Sequence, residues 1–169
     1  IGTLYRPANR LSSARSAMFV SPSSSLELRL QANDFPGPLL TLSPSSTAAI
    51  THIQCGMQLR IDERGNKRGA VVLAFSTGGS QVGLELQPGG DAKVTATGTA
   101  TDVSTPSFAM FTAVGVELEV GSSPTHAKVA IGGSLQEVTL SVKTSPISKV
   151  SFGLAANGVE ADAWRAHID

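Results

Sequence analysis

The stretch Val114-Gly-Val-Glu-Leu-Glu-Val120 alternates apolar residues with small or charged ones. So do Leu26-Glu-Leu-Arg-Leu30 and Val82-Gly-Leu-Glu-Leu86. Side chains of a strand point to opposite faces in turn, so a period of two commits each stretch to a half-buried strand. The runs Lys128–Gly133, Glu137–Val142, Val150–Leu154 and Trp164–Asp169 are also β-branched or alternating, with Gly, Pro, Ser or Asn in most of the gaps. No segment repeats with a period of 3.6, which excludes helical bundles and βαβ folds. The pattern predicts an all-β, two-sheet antiparallel β-sandwich of about eleven to thirteen strands.

The chain divides into an irregular N-terminal arm, residues 1–25, and one sandwich domain, residues 26–169. Met18-Phe19-Val20 is the arm's one candidate for a short edge strand. Leu39 to Leu42 reads as short and apolar, and Ala48 to Ile61 as a long β-capable stretch that Gly56 bends. Asp62 to Gly69 reads as a charged hairpin loop. Lys93 to Thr101 reads as a single strand near an edge, and Phe108 to Phe111 as a lead into the next strand.

Charge and cysteine content narrow the functional classes. Thirteen Lys and Arg balance thirteen Asp and Glu, so the chain offers no bulk attraction for nucleic acid. No apolar run approaches the roughly 18 residues of a membrane span. The single cysteine, Cys55, permits no intrachain disulfide. Its flanks Ile53 and Met57 predict a buried, slowly reacting thiol. No signal peptide is visible, and the start at Ile1 reads as a processed or excised product.

From about Ala70 onward the order of features resembles the concanavalin A-like and laminin-G-like jelly rolls. The residues that carry the resemblance are Val71–Phe75, Gly83–Leu86, Ala92–Val94, Val116–Val120, Lys128–Gly133, Phe152–Leu154 and Trp164–Asp169. The resemblance implies that Leu26–Leu30 or Met18–Val20 pairs beside Trp164–Ile168. It also implies a fold that hosts lectins, glycosidases, receptor-binding modules and structural domains.

Glycosidases of that group carry acids spaced Glu-x-Asp-x-x-Glu on one strand. The nearest counterpart is Glu117-x-Glu119, with Gly121 and Ser122 where a third acid would stand. A retaining mechanism needs two carboxyls about 5–5.5 Å apart, so a solvated face is the plainer reading and a non-enzyme is favoured. His52, His126 and His167 are too scattered for a zinc site, and no Gly-x-Ser-x-Gly elbow exists. No cofactor is expected. Asp34, Asp62, Asp91, Asp102 and Asp162 lie in or beside loops and keep calcium as an alternative.

The candidate ligand or subunit contacts are Arg6, Arg10, Arg15 and Trp164. The arm holds those three arginines and no acid. Trp164 is the lone tryptophan, and its neighbours Ala166 and Ile168 also fit a core position. The sequence thus predicts a non-catalytic recognition or adhesion module for a glycan or protein ligand, located outside the cell, on its surface or on a virion. The alternatives are a homo-oligomeric or larger assembly subunit that uses the arm and, third, a glycoside-active enzyme.

Overall fold

The computed structural model describes residues 2–5, 11–12, 26–31, 39–43, 49–78, 80–105, 107–121, 124–140, 145–155 and 162–169. These contain fourteen strands and no helix long and apolar enough to cross a membrane. The strands are β1 (Gly2–Tyr5), β2 (Leu11–Ser12), β3 (Leu26–Leu30), β4 (Leu39–Leu42), β5 (His52–Glu63), β6 (Ala70–Thr77) and β7 (Ser80–Leu86). They continue with β8 (Ala92–Ala96), β9 (Thr99–Val103), β10 (Thr112–Glu119), β11 (Thr125–Ile131), β12 (Ser134–Leu140), β13 (Ile147–Ala155) and β14 (Trp164–Ile168).

Two seven-stranded sheets result, ordered β1-β4-β13-β6-β7-β8-β9 and β12-β11-β10-β5-β14-β3-β2, with every pairing antiparallel. The architecture is the expected β-sandwich, and β3 lies beside β14 with Leu28 opposite Ala166.

Alternation explains the core. In the second sheet Leu28, Leu59, Val116, Leu118, Val129 and Trp164 turn inward, and each is at most 4% exposed. Phe75, Val82, Leu84, Leu86 and Val94 meet them from the first sheet. Burying each such side chain contributes roughly 1.5–3 kcal/mol. At one margin the Gln136 amide joins the sheets, donating to Ser104 O at 2.8 Å and accepting from Ser104 N at 3.0 Å.

Four local readings change. Stretch 1–25 contributes the paired strands β1 and β2, although neither alternates in sequence. Lys93–Thr101 is not one strand but a hairpin of β8 and β9, turned at Thr97-Gly98 with Gly98 at φ +76°. Gly56 makes no bulge in β5, whose register with β10 runs unbroken from Leu59–Thr112 to His52–Glu119. Asp62 belongs to β5 rather than to the following loop. Met18–Val20 lie outside the described residues.

Candidate functional site

The second sheet turns its other face outward. Along β5 this face carries His52, Gln54, Gly56, Gln58, Arg60 and Asp62, because Ile53, Cys55, Met57, Leu59 and Ile61 pack inward. The same alternation presents Ala113, Gly115, Glu117 and Glu119 on β10, and His126, Lys128 and Ala130 on β11. In β14 and β3 it presents Arg165, His167, Glu27 and Arg29.

Gly56, Gly115 and Ala130 stand side by side in register, and Leu135 of β12 is opposite Ala130. Their small side chains leave a depression of about 480 Å3, lined also by Gln58, Ala113, Gly133 and Asp169. Neighbouring strands are about 4.8 Å apart, so from β14 to β12 this path crosses roughly 19 Å of sheet.

The fold does not demand those glycines. A Cβ on Gly115 would lie 3.8 Å from Ala130 Cβ and 3.9 Å from Cys55 O; one on Gly56 would lie 3.5 Å from Val114 O. These are ordinary contacts, and neither residue has a left-handed φ. Glycine within a strand costs about 0.5–1 kcal/mol relative to alanine. A strand glycine often marks a bulge, a tight bend or the close approach of a ligand or another backbone, and the unbroken β5–β10 register leaves no bulge here.

Polar groups flank the depression. Toward the start of β5, His52 Nε2 is 2.9 Å from Glu117 Oε1, and Lys128 Nζ is 3.9 Å from the same oxygen. The His52 hydrogen bond, then the Lys128 charge, hold the Glu117 carboxyl below the usual carboxylate range. Toward the end of β5, the Arg60 guanidinium lies over the Phe111 ring, 5.5 Å from its centroid, and bonds Asp62 Oδ1 at 2.7 Å.

Beyond Arg60 is a buried polar cluster. His167 Nε2 is 3.0 Å from Asp62 Oδ2 and 3.8 Å from Glu27 Oε2, and the imidazole is fully buried. Arg29 Nε donates to Glu27 Oε1 at 2.5 Å. Burial pushes the His167 pKa down; the Asp62 charge opposes this, Arg60 adds to it, and Glu27 opposes it. His167 Nδ1 and Arg165 Nε have no hydrogen-bond partner among the described residues.

The expected site residues fare differently. Arg6, Arg10 and Arg15 lie outside the described residues. Trp164 is a core residue: it is 1% exposed, its Nε1 donates to Arg68 O at 3.0 Å, and Arg64 covers the ring at 5.6 Å. No ring face is left for a ligand. Cys55 is half-buried and inward-facing, and burial pushes its thiol pKa up.

Of the calcium candidates, Asp34 lies outside the described residues. Asp162 Oδ2 accepts backbone N–H groups from Asn66, Lys67 and Arg68 at 2.8, 2.7 and 3.3 Å. Asp62 is engaged by Arg60 and His167. Among the described residues no group of three or more His, Cys, Asp or Glu could hold a metal ion. Glu117 was visible in the sequence, but its partners His52 and Lys128 were not, nor was the Phe111–Arg60 pair. They come from different strands, and only the register brings them together.

A scan of family models gave no match, and neither did a search of curated proteins. Solved structures are similar in fold. A cellulose-induced protein, Cip1, superposes with a TM-score of 0.69 at 12% identity, over 99% of this chain and 88% of that one. An alginate lyase from Pseudomonas aeruginosa gives 0.59 at 15% identity, over 91% and 84%. A botulinum neurotoxin type C chain, whose cell entry depends on two ganglioside molecules, gives 0.61 at 11% identity, over 99% and 46%. The chain therefore has the jelly-roll β-sandwich fold.

Proposed function

We propose that the outward face of the second sheet binds a glycan chain and that the protein is a recognition module working outside the cell, on its surface or on a virion. The observation that carries this reading is the in-register floor of Gly56, Gly115 and Ala130. It opens a depression that packing does not require, and planar polar side chains flank it. Carboxylates, amides and imidazoles can share donors and acceptors with sugar hydroxyls. Phe111 supplies an aromatic ring beside Arg60. Proteins of similar fold, a ganglioside-dependent toxin and alginate lyases among them, support the ligand class by analogy.

Affinity gel electrophoresis against a panel of polysaccharides tests the reading, with Gly115→Trp as the comparison. Retention by at least one polysaccharide, lost in the variant, is expected. Equal retention of both proteins places the site elsewhere.

One observation favours a second reading. The His52–Glu117 pair, 2.9 Å apart, is a carboxylate-held imidazole at the groove margin, an arrangement able to transfer protons. Under that reading the groove cleaves what it binds. Shortening of a bound polysaccharide, abolished in Glu117→Gln, would favour it over recognition alone.

A further inference from the structure

We propose that the ligand of this groove is an uncharged polysaccharide rather than a polyanion; the inference rests on the glycan-binding reading above. Four cations stand on the described strands of this face: Arg29, Arg60, Lys128 and Arg165. Each has a carboxylate close by. Arg29 is 2.5 Å from Glu27, Arg60 is 2.7 Å from Asp62, Arg165 is 3.8 Å from Asp62, and Lys128 is 3.9 Å from Glu117. Glu119 and Glu137 add two further carboxylates on the outward positions of β10 and β12.

The described face therefore has no excess of positive charge. A ligand bearing a carboxylate on every sugar would meet Asp169 in the lining of the depression, and Glu117 and Asp62 further along the face in either direction. To gain a guanidinium or ammonium partner it would have to displace Asp62 or Glu117, leaving a like charge beside it. Hydroxyl groups face no such conflict. An ionised carboxyl has about four acceptor positions, so Glu117 and Asp62 can accept from sugar hydroxyls without giving up their present partners. The fold is shared with alginate lyases, whose substrate is a polyuronate, so the charge pairing here is what separates this groove from a polyanion site.

The test is affinity electrophoresis of the whole chain in gels containing neutral glucans or mannans, against gels containing alginate or polygalacturonate. Each is run at about 0.05 M and about 0.5 M salt, since screening grows over that range. Retention by a neutral polysaccharide, changing less than about twofold between the two salts, is expected. A preference for a polyuronate of about tenfold or more at low salt, collapsing at high salt, overturns the inference.

Gly115→Trp and Ala113→Trp, checked for folding by circular dichroism, separate the two levels of the claim. Polyuronate retention that either folded variant abolishes leaves the groove standing and removes the ligand class. Retention unaffected by both, or no retention by any gel, removes the groove as well. Glu117→Lys takes the carboxylate from Lys128, and a gain of polyuronate retention is expected; no gain contradicts the view that paired charge excludes polyanions.

Discussion

His167 Nε2 lies 3.0 Å from Asp62 Oδ2, and the imidazole is fully buried although it projects from the face of its sheet opposite the main core. Glu27, on the strand at the opposite flank of β14, approaches the same nitrogen at 3.8 Å; Arg29 and Arg60 stand on the two neighbouring strands, and Arg165, opposite Glu63, on β14 itself. Burial holds the folded imidazole below its ordinary value, and Asp62 only partly offsets this.

A pH dependence follows. The native state binds fewer protons than the unfolded chain once pH drops into the ordinary histidine range, near 6.5. The stability linked to neutral His167 is thus complete above the unfolded pKa and is lost as pH falls toward the folded one. Urea midpoints should decline between about pH 7.5 and pH 5, by no more than about 1.4 kcal/mol per pH unit for this one group. Glu117 and Asp162, held below the usual carboxylate range, add their losses only at lower pH. His167→Gln should flatten the profile between those limits. A wild type that gains stability on acidification contradicts the assignment.

Gly65 exposes a different kind of constraint. A Cβ there would sit 2.2 Å from Trp164 Nε1 and 2.9 Å from Arg68 O, the two atoms joined by the indole hydrogen bond. Gly65→Ala should destabilise the protein by about 1–3 kcal/mol, as overpacking does. A change within about 0.5 kcal/mol in urea unfolding would mean that the turn shifts freely.

Cys55 faces inward from β5, and its thiol pKa is raised by burial. The thiolate is the reacting species, so labelling by Ellman's reagent near pH 8 should be at least about tenfold slower than for free cysteine. Labelling at the free-thiol rate would show that the strand exposes its inward side.

Local alternation of residue type made β3, β7 and β10 legible, although only β10 has one wet and one buried face: Glu27 of β3 and Gly83 and Glu85 of β7 are buried too. It could not find β1 and β2, where neither strand alternates, and it fused β8 with β9 because Thr and Ala continue through the turn at Gly98. The site was less visible than the fold. Glu117 could be assigned to an outward face, but His52 is 65 residues away in sequence and comes within bonding distance only through the β5–β10 register. Phe111 carried no sign of a role until Arg60 was placed over it. Gly56 and Gly115 are commonplace in sequence, and they gain meaning only when the space above them proves able to hold a side chain.

That space gives the most direct test of the groove. Gly115→Val adds a β-branched side chain whose Cβ makes contacts of 3.8 and 3.9 Å. Urea unfolding and affinity electrophoresis should be measured on the same variant. Stability should rise by about 0.5–1 kcal/mol while retention by the bound polysaccharide falls about tenfold, since the fold does not need the glycine and the ligand does. Retention equal to the wild type, or a loss of stability in the variant, would contradict the account.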